Sequence, residues 1–158
     1  MVLMGLDEKD LRWMQYALDL ANDAKRIDEV PVGAIVVVGD KIVGSGYNMS
    51  IKRPSPVAHA EIIALENAAQ TLNNYRILDA CLYVTLEPCL MCYGAMIHAR
   101  INRCVFAASD PKSGVVSCGI VDVARGYINH KVEMLGGALS QESSLLLKSF
   151  FKQKRSNR

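Results

Sequence analysis

The sequence lacks long hydrophobic runs, internal repeats, low-complexity segments and a strong excess of charge of either sign. Its longest apolar runs are far shorter than a membrane span, so we expect no membrane segment. Four charged residues at positions 7–10 directly follow the apolar residues 1–5, so we do not expect a hydrophobic signal segment either. Lys and Arg number 18 against 16 Asp and Glu, a formal net charge of +2, which excludes a protein that coats nucleic acid by charge alone.

What is present fits one folded domain over residues 1–158. With 51% hydrophobic and 22% charged residues, the chain can bury a sizeable core without disulfides. The cysteines number five, an odd set. Because we expect no signal or membrane segment, we expect the reducing cytoplasm, where spaced cysteines more often bind metal or act in catalysis than form disulfides.

The basic residues are unevenly distributed along the chain. Residues 148–158 contain five basic residues and no acidic one, so this tail carries +5 and the rest of the chain −3. Such a tail can steer a polyanion to one end of the protein. A solvated tail that only keeps the protein soluble is equally compatible with the charges.

Hydrophobic periodicity and turn signals predict four helices and five strands. In chain order they are a helix capped by Asp7 and ending near Arg26, a hairpin of strands 33–38 and 41–43, a helix over 59–72, a strand over 81–86, a helix over 89–99, strands over 103–108 and 131–135, and a helix from about residue 140, capped by Ser140, that runs into the basic tail. Residues 44–57 are predicted to be a loop, and residues 110–129 receive no assignment. The residues of the second helix offered to the core are Ile62, Ile63, Leu65 and Ala69. Strands separated by helices imply a three-layer α/β/α sandwich.

Cys89 and Cys92 are three residues apart at a predicted helix start, so both sulfurs project from one face. The free N–H groups and the dipole at a helix start favour thiolates, the form that binds metal. Pro88 suits the first helical turn, because its missing N–H would be unpaired there. Redox pairs share this spacing, so it is only moderately specific by itself.

His59 and Glu61 form a second motif and change the interpretation of the first. One imidazole and two thiolates make a ligand set suited to zinc. Three protein ligands leave a fourth position open for water, the pattern of a catalytic zinc, and Glu61 would move the proton of that water. Both side chains converge only if His59 lies at the irregular edge of its helix. A structural zinc site remains an alternative if Cys81, Cys104 or Cys118 supplies a fourth ligand.

His-x-Glu followed by Pro-Cys-x-x-Cys is the established signature of zinc-dependent nucleobase deaminases. Within that superfamily the chain resembles the bacterial tRNA-specific adenosine deaminases. The matching segments extend from the first predicted helix to the last and comprise residues 29–34, 46–48, 58–62, 74–76, 82–89, 91–92, 94–98 and 105–106, with Phe150 and Phe151 before the basic run.

The resemblance implies a cytidine deaminase-like fold with a five-stranded mixed sheet, a homodimer, and conversion of adenosine to inosine at the wobble position of a tRNA anticodon loop. It implies that His59, Cys89 and Cys92 hold one zinc ion per chain and that Glu61 is the catalytic proton shuttle. The implied substrate-binding residues are Asn48, Ala60, Asp110, Lys112 and Asn129, and the implied RNA-binding tail residues are Phe150, Phe151, Lys152, Lys154 and Arg155. By residue type alone, Asn48 fits a turn equally well, the loop residues fit ordinary polar positions, and at least one phenylalanine fits helix packing.

Residues 114–119 and 124–127 depart from the family pattern, and Cys118 has no assigned role. Two other functions stay open. A small-molecule deaminase acting on guanine, cytosine or dCMP shares both motifs but has less use for a basic tail. A non-enzymatic, zinc-stabilised RNA-binding module predicts a closed four-ligand site in which Glu61 is dispensable.

Overall fold

The computed structural model describes residues 5–158, so four residues of the apolar start lie outside the described part of the chain. Five strands form one sheet between two layers of helices. The elements are α1 (Glu8–Arg26), β1 (Gly33–Val38), β2 (Lys41–Tyr47), α2 (Ala60–Leu72), β3 (Ala80–Leu86), α3 (Leu90–Ala99), β4 (Arg103–Ala108), α4 (Ile120–Ala124), β5 (Glu133–Gly136) and α5 (Ser140–Ser156).

The sheet is mixed and has the strand order β2-β1-β3-β4-β5. Strand β1 runs antiparallel to both of its neighbours, whereas β3, β4 and β5 are parallel to one another. The predicted five-stranded mixed sheet is therefore confirmed. Because parallel strands end at the same edge, the segments that follow β3 and β4 emerge side by side.

The central strands are buried on both faces. In β1, Ala34 and Val36 pack in the core that also contains residues of α2 and α3, whereas Ile35 and Val37 pack against α1. Helix α5 lies in the same layer as α1, where Lys25 Nζ donates to Ser149 Oγ at 3.1 Å. The three-layer α/β/α sandwich predicted from the order of the elements is confirmed. Among the described residues, no helix combines the length and apolarity needed to cross a membrane.

Helix α2 packs on strand β2 with no room for a side chain between them. A Cβ atom at Gly44 would lie 2.2 Å from the carbonyl oxygen of Ala64. Most of the buried face of α2 accordingly consists of small side chains, namely Ala60, Ala64 and Ala68. The other buried residues of the helix are Glu61 and Leu65. Of the four residues offered to the core from the sequence, Leu65 is buried, whereas Ile62, Ile63 and Ala69 are half-buried, because alanines at other positions form the face in closest contact with the sheet.

Several elements differ from the prediction, among them β5, which covers Glu133–Gly136 rather than 131–135. Strand β2 continues to Tyr47, so residues 44–47 are strand rather than loop, with Gly44 pairing with Val36 in β1. Ser140 does not cap α5, since the residue before the helix is Leu139 in a left-handed conformation and no side chain caps that end. The unassigned segment contains the short helix α4.

We expect Gly44→Ala to lower the free energy of unfolding by about 1–3 kcal/mol, because the new methyl group must displace the backbone of α2. Urea denaturation measures this change. Gly94→Ala in α3 is the matched control, since its added methyl group would meet no atom within 4 Å. Alanine is the better helix former, so the control should gain about 0.5–1 kcal/mol. An equal loss in both variants would contradict the close-contact explanation.

Candidate metal centre and active site

The three predicted metal ligands meet where two helices begin. His59 is the N-cap residue of α2, and Cys89 is the N-cap residue of α3. The His59 Nδ1 atom lies 3.7 Å from Cys89 Sγ and 3.6 Å from Cys92 Sγ. Within residues 5–158, these side chains form the one group of three whose ligand atoms all lie within 4.8 Å of one another.

These separations fit a tetrahedral zinc ion. Bonds of about 2.3 Å to sulfur and 2.0–2.1 Å to nitrogen, at tetrahedral angles, place sulfur and nitrogen about 3.6 Å apart. The other three cysteines do not join the cluster. Cys104 is buried in the core, and the exposed Cys118 points its thiol at the carbonyl oxygens of Pro111 and Lys112. The alternative of a closed site with a fourth cysteine ligand is therefore wrong, and three protein ligands leave one coordination position open.

The start of α3 favours a thiolate at the ligand site. Hydrogen bonds from Cys92 and then from His59 lower the pKa of Cys89 to about 3. The thiolate beside Cys92, together with burial, raises the pKa of that second thiol. A divalent metal held by both sulfurs would displace the remaining proton, because a cysteine binds metal as the thiolate.

Glu61 lies in the first turn of α2 and is only 4% exposed. Burial raises the pKa of its carboxyl group to about 7, since the charged form is poorly solvated there. As the N-cap residue, His59 has extended backbone geometry, with φ −79° and ψ 154°. Because His59 lies outside the regular helix, its side chain and that of Glu61 can point to the same site although they are only two residues apart. A carboxyl group that changes protonation near neutral pH can both accept and donate a proton.

Asn48 fixes the start of α2. Its Oδ1 atom accepts a hydrogen bond from the backbone N–H of Ala60 at 2.9 Å, and its own N–H donates to Val32 O at 3.1 Å. The His59 side chain makes no capping hydrogen bond, because it faces the two cysteines. Asn48 thus supplies the cap from a neighbouring segment.

Two buried carboxylates that the sequence analysis did not single out hold the loops around the site. Glu29 accepts hydrogen bonds from the N–H groups of Ile51 and Lys52 at 2.8 and 2.7 Å. Glu87 likewise accepts hydrogen bonds from the N–H groups of Asp110, Val116 and Ser117, in the loop that follows β4. The available signal was an acidic residue one or two positions before a proline and close to a predicted strand, as at Glu29 and Glu87. Buried glutamates are rare unless their charge is compensated.

The predicted RNA-contact residues divide between two clefts. Asp110 and Lys112 line a cleft of about 580 Å³ together with Phe151 and Arg155 of α5. Asn129 lines a separate cleft of about 530 Å³, and its Oδ1 accepts a hydrogen bond from Arg100 at 2.9 Å. The structure therefore brings two of the three loop residues together with the basic tail.

The tail residues differ in exposure. Phe150 is buried and packs the helix, whereas Phe151 is 44% exposed. Lys154 forms an ion pair with Asp28 and lies over the Phe150 ring, 5.6 Å from its centroid. Lys152 and Arg155 are exposed. The expectation that at least one phenylalanine packs the helix is confirmed.

Comparisons with known proteins agree with this geometry. Residues 7–108 match the family model of the cytidine and deoxycytidylate deaminase zinc-binding region. A tRNA-specific adenosine deaminase of Haemophilus influenzae is 47% identical over 149 residues, covering 94% of this chain and 86% of the relative.

Two solved structures share the fold. One comes from a study of A-to-I editing by tRNA:A34 deaminases at the wobble position of transfer RNA, with a TM-score of 0.82, 36% identity, and coverage of 86% of this chain and 99% of the other. The other is a guanine deaminase from Nitrosomonas europaea, with a TM-score of 0.75, 23% identity, and coverage of 95% and 86%, a likeness that extends to the fold alone. The chain belongs to the zinc-binding cytidine and deoxycytidylate deaminase family, together with the tRNA-specific adenosine deaminases.

Proposed function

We propose that this protein hydrolyses adenosine to inosine at the wobble position of a tRNA anticodon loop, with release of ammonia. The observation that carries the proposal is the group His59, Cys89 and Cys92 at zinc-binding distances with the buried Glu61 in the adjoining helical turn. The Haemophilus influenzae relative is described as a tRNA-specific adenosine deaminase, and the first solved structure comes from a study of A-to-I editing at the wobble position of transfer RNA; the chain aligns with both over most of its length.

The residues divide the chemistry between them. His59, Cys89 and Cys92 would hold the zinc ion, which supplies an activated water at neutral pH. Glu61 would take one proton from the attacking water on a carboxylate oxygen and deliver it to the adenine ring nitrogen while the water oxygen bonds to C6. It would then take the second proton, from the hydroxyl group now on C6, and pass it to the amino group as the C6–N bond breaks, so that one water is consumed and one ammonia is released per inosine formed.

Asn48 would orient the target base. Its Oδ1 atom is occupied by the Ala60 N–H, so the Nδ2 group remains to donate a hydrogen bond to the base. Because Ala60 lies between His59 and Glu61, the same hydrogen bond ties the orientation of Asn48 to the start of the catalytic helix. A base in a single-stranded loop is already free of a pairing partner, so placing it beside Glu61 costs less than flipping it from a duplex.

The cleft at α5 suits the RNA chain next to the target base. The cleft is lined by three cationic side chains, Lys112, Lys148 and Arg155, and by a single carboxylate, Asp110. The Asp110 Oδ1 atom already accepts hydrogen bonds from the N–H groups of Lys112 and Ser113 at 3.1 and 3.3 Å. The half-exposed Phe151 ring in the same cleft offers a surface on which a base can stack.

The proposal includes a homodimer that works in the cytoplasm, where tRNA is found. Large apolar side chains are exposed on and beside α3 and α4, among them Leu90, Val123 and Tyr127. Exposed side chains of this kind support burial against a second copy of the chain. Sedimentation equilibrium measures the assembly, and a monomer at micromolar concentration would contradict this part of the proposal.

Glu61→Gln should abolish inosine formation, because glutamine has nearly the same shape as glutamate but cannot carry the proton. The measurement is mass spectrometry of an anticodon stem-loop with a wobble adenosine, incubated with zinc-loaded protein. We expect a loss of at least about 10²-fold in kcat, the scale of general acid–base catalysis. Zinc content, measured by atomic absorption, should stay at one ion per chain in this variant and fall in Cys92→Ala.

Free guanine, cytosine and dCMP serve as the alternative substrates in the same assay. Turnover of one of these without turnover of the stem-loop would overturn the tRNA assignment. Full activity of Glu61→Gln on the stem-loop would overturn the proton-transfer role. A zinc-bound protein that binds the stem-loop but converts none of these substrates would be a binding module.

The double substitution of Lys148 and Arg155 by alanine should weaken stem-loop binding and flatten its salt dependence. Each lost phosphate contact lowers the slope of log Kd against log salt by about 0.7 for a single strand. Fluorescence anisotropy at several salt concentrations measures the slope. Lys154→Ala is the control, since Lys154 is paired with Asp28 and should contribute less. An unchanged slope in the double variant would mean that the cleft does not contact phosphates.

A further inference from the structure

Glu87 connects the metal centre with the loop that lines the RNA cleft. It is 3% exposed and follows the last residue of β3. Its Oε1 atom accepts hydrogen bonds from Asp110 N at 3.0 Å and Ser117 Oγ at 2.5 Å. Its Oε2 atom accepts from Val116 N at 3.0 Å and Ser117 N at 2.9 Å. One side chain thus holds both ends of the loop over residues 110–117.

The loop is shaped around this carboxylate. A Cβ atom at Gly114 would lie 2.0 Å from Glu87 Oε2, so only glycine allows the loop to close on it. The same loop makes a backbone contact further along, where Val115 N donates to Pro88 O at 3.0 Å. Burial disfavours the charged form of Glu87, but the hydrogen bonds from Ser117, Asp110 and Val116 outweigh burial and lower its pKa.

Glu87 links two parts of the molecule that have different proposed functions. On one side, Glu87 and Pro88 lead directly into Cys89, the metal ligand at the start of α3. On the other side, the loop carries Asp110 and Lys112 into the cleft shared with Phe151. The segment 87–89 and the loop are paired at the strand ends, where Glu87 N donates to Ala108 O at 2.8 Å, and the Glu87 carboxylate adds the side-chain contacts that fix the rest of the loop relative to the metal centre.

We propose that Glu87 is a positioning residue for the RNA substrate, which holds the loop 110–117 in register with Cys89 so that one RNA strand can occupy the cleft and the metal centre together. The inference rests on the proposed function. Because Glu87 reaches the loop and not the reacting atoms, its loss should impair RNA binding more than the chemical step.

The test compares steady-state deamination of the anticodon stem-loop by the full-length protein and its variants. Glu87→Gln keeps the shape but turns an N–H group toward the loop donors, and Gly114→Ala displaces the loop without changing the carboxylate. In both, KM should rise by about tenfold or more with kcat within about threefold, as expected when binding geometry is lost. Ser117→Ala removes one of the four hydrogen bonds and should give a smaller rise in KM.

Asp10→Asn is the matched control. Asp10 is also buried and accepts hydrogen bonds from Tyr83 at 2.8 Å and from Arg103 at 2.6 and 2.8 Å, but at the opposite end of the sheet. This variant should lower the melting temperature and leave KM within about twofold of wild type, because general destabilisation does not displace the loop. Equal rises in KM for Asp10→Asn and Glu87→Gln would overturn the inference, as would a loss confined to kcat.

Hydrogen exchange of the loop amides gives a second readout that does not depend on activity. Glu87→Gln should speed the exchange of Asp110, Val116 and Ser117 and leave α3 protected, with zinc still at one ion per chain. Unchanged protection of these amides would overturn the inference. If the wild-type protein fails to deaminate the stem-loop, the proposed function fails, and the exchange result still decides whether Glu87 holds the loop.

Discussion

The position of α2 on the sheet depends on a contact between the Gly44 backbone and the carbonyl oxygen of Ala64 that leaves no space for a side chain. This close packing brings the first turn of α2 to the edge where β3 ends and α3 begins. His59 and Cys89 can then meet as the N-cap residues of two different helices. Both helices direct the positive ends of their dipoles to this point, and the pKa of Cys89 is lowered, so the site favours a thiolate at Cys89 before any metal binds.

Three buried glutamates show how environment assigns a role to one residue type. Glu29 and Glu87 are surrounded by N–H donors from loops, so their charge is compensated and they act as anchors. Burial instead raises the pKa of Glu61 to about 7. A carboxylate that is saturated with hydrogen bonds organises structure, whereas one that is poorly solvated can exchange a proton near neutral pH.

The charge of the tail is used more selectively than its sequence suggests. Lys154 turns toward Asp28, while Lys148 and Arg155 line the cleft with Lys112. The body of the chain carries −3, so the net positive charge of the protein is concentrated in the tail, and the fold places two of its basic groups beside the loop after β4. Helical periodicity decides which of the basic residues face that loop.

The sequence by itself determined the ligand set and most of the secondary structure. Regular spacing predicted α1, β1, α3 and β4 nearly to the residue, because hydrophobic periodicity and cap residues are local signals. Tertiary structure alone decided the alanine face of α2, the cap supplied by Asn48, and the carboxylate of Glu87 that closes on the loop around Gly114. Each of these joins residues from different parts of the chain through a close approach or a long-range hydrogen bond. Close approaches and long-range hydrogen bonds of this kind produce no periodic pattern in the sequence, because the partners are brought together only when the sheet and its helices pack.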